Sequence, residues 1–387
     1  MKLNCPKGGK ELLILKVIAQ YLVEPLFLVG LVATYLLYWR RLKLERHFFR
    51  IAVNRDFYEL RHFLKHGLLL GIVGSVITVG LGLTLSWPVI ICYQLLALLA
   101  LILGIRLNLA FLALLLTGGL VGISAYFKPV VGNLGAVNNR ELVGLMLLVV
   151  LYLAFKLVLL RAQKFDWFSP QIREGKRGRR IATYFWRELS VIPLVILVPA
   201  DLFKIKSDFW PLLNIGNHSY TFFILPFFVA VSVKLAKQLP KKALGLYRRQ
   251  TGLLLGLAVI FTIFSYIWPQ LSLLGLTLLL VLWLWQAYMR KQADRKADFW
   301  YVETNQGVRV VAVKPKTPAA KMNLVPGDII IECNQQAVNS EAELYQALQA
   351  NSAYCKLRVK SFNGDMKLAE SAIYAGAPHE IGLILFH

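Results

Sequence analysis

Long apolar segments, rather than a repeating amphipathic pattern, dominate the first 290 residues of this 387-residue chain. Runs of about eighteen or more mostly apolar residues are typical of membrane-spanning helices. Several connections are so short that they predict antiparallel helical hairpins. Nine apolar segments can be marked, and they are Leu22–Trp39, Gly67–Leu85, Val89–Ile105, Leu109–Phe127, Leu142–Leu160, Leu189–Phe203, Ser219–Ala236, Thr251–Trp268 and Leu271–Met289.

This pattern predicts an α-helical polytopic membrane domain over residues 1–289, with eight or nine spans. The first segment contains Glu24-Pro25, so a spanning helix and a re-entrant or interfacial segment both remain open for it. Asp201 likewise lies close to a proline, Pro199. We predict that both acids serve structural roles, because a helix-breaking proline frees backbone groups that then need polar partners.

Composition supports the membrane assignment. Hydrophobic residues make up 57% of the chain, and the mean hydropathy is +0.56. A soluble chain of this size needs more polar surface than such a composition supplies.

The formal net charge of +23 arises entirely before residue 300, since the remainder holds 8 basic and 8 acidic residues. The basic residues concentrate in three connections, Arg40–His66, Arg161–Glu188 and Lys237–Gln250. The positive-inside rule places all three in the cytoplasm, and counting onward also places the C-terminal segment there. Short basic loops between apolar segments favour contact with anionic lipids over nucleic acid.

One basic loop concentrates charge strongly enough to be a candidate contact for lipids or protein partners. Four of its side chains lie within five positions, and they are Lys176, Arg177, Arg179 and Arg180. An orientation signal alone is the alternative interpretation.

After a charged juxtamembrane linker at residues 290–299, the pattern changes to that of a small α+β domain at residues 300–387. Short β-branched strands alternate with two capped helices. Thr317-Pro318 is a helix N-cap followed by proline at the first helical position. Ser340 and Glu343 form a capping box for a second helix. Gly327-Asp328 predicts a turn.

The run GVRVVAVKPKTPAAKMNLVPGDIIIECNQQAVNSEAELYQAL resembles a bacterial PDZ domain. PDZ domains bind peptides by adding a strand to a sheet edge beside a helix, and backbone N–H groups of an apolar-Gly-apolar loop hold the peptide carboxylate. That loop is missing near residue 300 but is found at the chain end. We therefore expect a circularly permuted domain whose groove is formed by Ile381, Gly382, Leu383 and Ile384 on one wall and by Tyr345 and Leu348 on the other. A simple closing strand at Ile381–Phe386 is the alternative.

The whole architecture resembles MinJ, a family of cell-division topological determinants of Gram-positive bacteria. The resemblance implies an adaptor in the bacterial cell membrane, enriched at septum and poles. It further implies partners such as the scaffold DivIVA and the ATPase MinD.

The sequence contains no recognisable catalytic signature. An intramembrane metalloprotease needs His-Glu-x-x-His, but Phe63 occupies the glutamate position between His62 and His66. We expect this pair to lie in a solvated basic loop, so the sequence predicts no metal, cofactor or enzymatic activity. The four cysteines lack metal-binding spacing, and Cys333 and Cys355 are expected to be buried free thiols. A transporter with a regulatory PDZ domain remains an alternative function, and a relative of intramembrane proteases is a weaker one.

Overall fold

The protein is described by a computed structural model, which covers residues 17–386 apart from 104–108, 127–138, 164–166, 176–177, 205–218, 238–239, 297–298, 300, 316, 351–353, 362–363 and 373–380. Within this described part of the chain, eight helices precede residue 300. They are α1 (Val17–Val23), α2 (Pro25–Phe49), α3 (Tyr58–Gly80), α4 (Trp87–Leu103), α5 (Ala110–Tyr126), α6 (Asn139–Ala162), α7 (Pro240–Ile267) and α8 (Leu271–Lys296).

Four of these helices, α3, α6, α7 and α8, are long and apolar enough to cross a membrane. The pair α1 and α2 forms a fifth candidate, which is bent by 52° at Glu24. Helices α4 and α5 are apolar but have only 17 residues each. Among the described residues, the prediction of eight or nine spans is therefore too high.

The excess comes from two apolar segments that are strands and not helices. Segment Leu189–Phe203 lies in β2 (Arg180–Lys204), and segment Ser219–Ala236 corresponds to β3 (Ser219–Leu235). Both segments are rich in β-branched and aromatic residues, which favour strands. The first has only fifteen residues and contains two prolines, so it is short for a spanning helix. With β1 (Ser169–Glu174), the two strands form an antiparallel sheet in the order β1-β2-β3.

The β2–β3 hairpin packs among the helices, and α3 lies directly against β2. Glycines on one face of α3 allow this close approach. A Cβ at Gly71 would lie 2.8 Å from the ring of Pro193 and 2.9 Å from its carbonyl oxygen. A Cβ at Gly74 would lie 2.4 Å from Leu194. Small residues that bring backbones together are common at helix contacts in membranes.

Helix side chains satisfy the backbone groups along both outer edges of the hairpin. The hydroxyl of Tyr21 donates to the carbonyl of Val191 at 2.9 Å. On β3, the Tyr93 hydroxyl accepts from the amide of Phe228, and Tyr152 donates to the carbonyl of Ala230. Because unpaired backbone groups are costly in an apolar layer, these bonds stabilise a sheet in that position.

A buried ionic cluster joins α2 to the start of α3. The Arg41 guanidinium binds Glu59 at 2.6 Å and Glu45 at 3.5 Å, and all three side chains are buried. Glu24, at the bend before α2, accepts a hydrogen bond from Gln94. This contact agrees with the structural role predicted for Glu24, whereas the side chain of Asp201 lies outside the described residues.

Residues from Tyr301 onward form the α+β domain. Its helices are α9 (Pro318–Lys321) and α10 (Glu341–Gln349). Strands β4 (Val308–Arg309), β6 (Ile329–Cys333), β8 (Tyr354–Lys360) and β9 (Met366–Ala372) form one sheet in that order, with β7 (Gln336–Ala337) beside β6. Strands β5 (Ala312–Val313) and β10 (Leu383–Ile384) form a second sheet.

Candidate peptide-binding groove

Strand β10, which contains two of the predicted groove residues, pairs antiparallel with β5. Leu383 is opposite Val313, and the carbonyls of Gly382 and Ile384 accept hydrogen bonds from the amides of Lys314 and Val311. Because consecutive strand residues direct their backbone groups to opposite edges, those of Leu383 and Leu385 point away from β5. This second edge is where an added peptide strand would bind.

Side chains of the β10 segment alternate between two apolar clusters. Ile381, Leu383 and Leu385 pack in the core of the α+β domain. Ile384 and Phe386 pack on the other side, in the larger cluster of the membrane domain. The chain end is therefore a buried structural strand of both domains.

Helix α10 begins near Phe386, at the C-terminal end of the β10 segment. Its N-cap is Ser340, whose side chain accepts from the amide of Glu343, while the Glu343 carboxylate accepts from Asn339. These bonds, with Asn339 contributing most, hold the pKa of Glu343 below its usual value. The predicted capping box is confirmed.

A cavity of about 360 Å³ opens where α10 begins. Phe386 lines it on the strand side, and Ser340 and Ala342 line it on the helix side. Arg180 and Glu303 line it on the membrane-domain side. The strand end and the helix thus share one polar-walled opening.

Gly382 is constrained by its backbone and by a neighbour. Its φ is +89°, a conformation that side chains other than glycine rarely adopt. A Cβ there would lie 2.3 Å from the Thr317 hydroxyl oxygen. The crowding at Gly382 therefore comes from Thr317 within the fold. A substitution at Gly382 would therefore disturb the domain itself.

The two predicted helix residues are not equivalent. Leu348 is 7% exposed and packs in the core with Ile381 and Leu383, whereas Tyr345 is only partly buried against that core. Of the two, Tyr345 is the better probe of a bound peptide.

The α+β domain is anchored to the sheet of the membrane domain. The amide of Ala182 donates to the carbonyl of Tyr301, and the amide of Glu303 donates to Arg180. The Tyr184 hydroxyl donates to the carbonyl of Val311 at 2.7 Å. Burial raises the pKa of the packed Tyr301 to about 12. Strand β2 is therefore shared by the two domains.

This junction changes the role of one predicted basic contact. Arg180 is half-buried and forms an ion pair of 3.5 Å with Glu303. Arg179 is exposed, whereas Lys176 and Arg177 lie outside the described residues. Arg180 is therefore part of the interdomain junction rather than a simple surface charge.

The prediction that His62 and His66 belong to a solvated loop is wrong. Both lie on α3, and Glu188 of β2, which is 122 positions from His66, approaches both rings. His62 and Glu188 are buried, and His66 is partly buried. Sequence reasoning missed Glu188, because it counted this acid only as a loop charge.

The thiols of Cys333 and Cys355 are free and fully buried on neighbouring strands, as predicted. A hydrogen bond to Cys333, together with burial, raises the pKa of the Cys355 thiol. Cys92 is also free and half-buried.

Comparison with known proteins agrees with both parts of this architecture. Residues 289–368 match the PDZ domain family. A protein of *Lacticaseibacillus paracasei* described as a probable cell division topological determinant MinJ is 30% identical over 385 residues, covering 96% of this chain and 98% of that protein. MinJ of *Bacillus subtilis* strain 168 is 26% identical over 387 residues, covering 96% and 94%.

A shorter likeness is to the periplasmic serine endoprotease DegP of *Escherichia coli* K12, which is 45% identical over 56 residues. It covers 14% of this chain and 12% of that protein. In contrast, the similarity to MinJ extends over the apolar helices and the PDZ domain together. The chain therefore belongs to the MinJ family of cell division topological determinants.

Proposed function

We propose that this protein is a membrane adaptor that recruits cell-division proteins through its PDZ domain. The observation that carries the proposal is the pairing of β10 with β5, which directs the backbone groups of Leu383 and Leu385 toward an edge where no strand pairing is found among the described residues. A partner's C-terminal peptide would bind there as an additional strand.

The proposed groove is circularly permuted, since its strand comes from the chain end. The Ile381-Gly382-Leu383 turn would hold the peptide carboxylate through backbone N–H groups. The positive φ of Gly382 supports this role, because it turns successive N–H groups toward one side. Tyr345 would contact the peptide from the helix wall.

The partners proposed are a DivIVA-like scaffold and a MinD-like ATPase at septum and poles. The name of the relatives supports a role in division-site placement. The exposed Arg179 and neighbouring basic residues would bind anionic lipid headgroups or partners on the cytoplasmic side.

We infer an adaptor rather than an enzyme. The DegP likeness covers only 14% of the chain, and Phe63 stands where a metalloprotease would need its glutamate base. The transporter alternative gains no specific support from the described residues.

Site-specific crosslinking in the full-length protein tests the groove. A photo-crosslinking amino acid at Tyr345, introduced in the native host, should capture division proteins through their C-terminal residues. The matched control position is Leu368 on β9. This residue is 55% exposed and belongs to the sheet that does not contain β10.

Capture at Tyr345 but not at Leu368 is the expected result. Equal capture at both positions, or capture at neither, would contradict the groove. Capture of proteins unrelated to division would retain the groove but reject the proposed partners.

A further inference from the structure

Two histidines and a glutamate form a compact buried cluster where α3 meets β2. The Nδ1 of His66 lies 2.9 Å from Oε1 of Glu188, and the Nδ1 of His62 lies 3.4 Å from the same oxygen. Potential ligand atoms of all three residues lie within 4.8 Å of one another. His62 and His66 are one helical turn apart, so α3 directs both rings to the same side.

Two groups of the cluster, the Nδ1 of His62 and the carboxylate of Glu188, are buried with incomplete polar partners among the described residues. His62 is 6% exposed, and its Nδ1 lacks a hydrogen bond of acceptable geometry among the described residues. Glu188 is 2% exposed, and the ion-pairing groups found within 4.0 Å of it in the described part of the chain are these two imidazoles. A buried carboxylate without a strong cation is costly, so a cation between the three groups would stabilise the arrangement.

We propose that His62, His66 and Glu188 bind one zinc-class divalent ion. Two ligand atoms bound to tetrahedral zinc lie about 3.3 Å apart, given metal–ligand distances of about 2.0 Å. The two separations between the histidines and Glu188, 2.9 and 3.4 Å, bracket this value, and all three ligand atoms lie within 4.8 Å of one another. Two imidazoles and one carboxylate suit zinc, whereas magnesium and calcium prefer sites built from oxygen.

The basic residues beside the two histidines on α3, and Arg41 of α2, do not oppose a cation. Arg61 is exposed and forms an ion pair with Asp56 at 2.7 Å, and Lys65 is also exposed. Arg41 is bound by Glu59 and Glu45. Because Arg61 and Lys65 are exposed whereas His62 and Glu188 are buried, the two basic side chains do not direct their charge into the cluster.

Aromatic side chains form an apolar wall for the site. Trp167 packs edge-on against His62, with ring centroids 4.3 Å apart, and Tyr58 stacks on Trp167. The Tyr58 hydroxyl donates to the carbonyl of Trp167 and fixes this pair. Such a shell orients metal ligands and limits solvent access.

The bound ion would act as a structural clamp. It would join a candidate membrane span, α3, to the strand that also anchors the PDZ domain. Three protein ligands leave a fourth position for water. Phe63 occupies the position at which a zinc protease has its glutamate general base, and this side chain is buried in the core with 1% exposure.

Metal analysis of the purified full-length chain tests the site. The protein should carry no polyhistidine tag, and it should be stripped with a chelator and then dialysed against zinc. We expect one zinc ion per wild-type chain. Glu188→Gln, which is nearly isosteric, should weaken zinc binding at least roughly 100-fold. The matched control is His47→Ala, which removes an exposed imidazole of α2 and should leave the metal content unchanged.

The effect of zinc on the Tm of the wild type supplies a measurement that does not depend on the variants folding, and cobalt spectra add a direct readout of the ligand geometry. Zinc should raise the Tm of the stripped wild type, because a ligand that binds only the folded state stabilises it. Cobalt should give tetrahedral absorption bands in the wild type and in His47→Ala, but not in Glu188→Gln. Wild-type protein without bound zinc, or equal zinc content in wild type and Glu188→Gln, would overturn the proposal.

Discussion

The hydroxyl of Thr78 donates a 2.6 Å hydrogen bond to the carbonyl of Val195, which joins α3 to the outer edge of β2. Ser75 continues this contact by accepting from the amide of Val195 and donating to the carbonyl of Pro193. Proline has no N–H to satisfy, so it suits an edge position. Leu197 completes the edge by pairing with the turn after α3, since its amide donates to Leu83.

Thr78→Val should lower stability, because it leaves the carbonyl of Val195 without this donor in an apolar environment. The expected cost is about 1–3 kcal/mol. The measurement is thermal unfolding of the detergent-purified protein, followed by tryptophan fluorescence. Thr117→Val is the matched control, because Thr117 is equally buried and its hydroxyl bonds to a carbonyl of its own helix. Equal losses in both variants would show that the contact with β2 contributes little.

Alanine substitutions at two glycines of α3 should have different effects on the stability of the protein. Gly71→Ala places a Cβ 2.8 Å from Pro193 and 2.9 Å from its backbone oxygen. This overpacking should cost about 1–3 kcal/mol. At Gly80, on the same helix, a Cβ meets nothing within 4 Å. Since alanine favours helices over glycine, Gly80→Ala should be neutral or slightly stabilising. Equal Tm values for Gly71→Ala and wild type would contradict the close packing against β2.

The PDZ elements could be predicted because their signals are local. Thr317 and Pro318 occupy the predicted N-cap and first-turn positions of α9, although the Thr317 hydroxyl bonds to Lys314 and makes no cap hydrogen bond. The Ser340–Glu343 capping box starts α10 through hydrogen bonds within a few residues. Gly327 has the positive φ that its turn needs. Such short-range chemistry can be recognised without knowing what packs around it.

The β2–β3 hairpin could not be predicted from hydrophobic periodicity. Most of β2 between Leu189 and Val198 is buried on both faces, so its apolar residues do not alternate and imitate a buried helix. Pro193, Pro199 and the abundance of β-branched residues were the available signals. The Glu188 contact is harder still, because its pairing with His66 depends on that hairpin and spans 122 positions.

A buried ion pair should stabilise the PDZ domain. Asp328 is fully buried, and its carboxylate binds Lys367, which is 32% exposed, at 2.5 Å. Lys367→Met should therefore cost about 1–3 kcal/mol, less than for a fully buried pair because solvent screens the ammonium. Arg358→Met is the control, since its pair with Glu332 is largely exposed and should contribute under about 1 kcal/mol. Hydrogen exchange of β6 and β8 amides in the full-length chain measures both. Slower or unchanged exchange in Lys367→Met would contradict the expected role.

Membrane topology is the next prediction, and the change from helices to strands does not alter its outcome. A reporter after His387 should be cytoplasmic, and one inserted at Asn138-Asn139 should be external. Helices α6, α7 and α8 separate the two positions. The sequence predicted five spans between the two positions, and two of these are the strands β2 and β3. The three helices that remain are still an odd number, so the reporters should lie on opposite sides of the membrane. Paired alkaline phosphatase and fluorescent-protein fusions measure this. Finding both reporters on one side would exclude the arrangement.

Tyr184 should control how firmly the PDZ domain is held against the membrane domain. Tyr184→Phe removes the donor to the carbonyl of Val311 but retains the ring that packs against Tyr301. The loss of about 1 kcal/mol should increase opening of the junction roughly fivefold. Hydrogen exchange at the amide of Glu303, which bonds to Arg180 across the junction, reports this opening. Tyr21→Phe is the matched control, because its hydroxyl bonds to Val191 inside the membrane domain. Faster exchange in both variants would indicate general destabilisation, whereas faster exchange in Tyr184→Phe alone would identify this bond as part of the anchor.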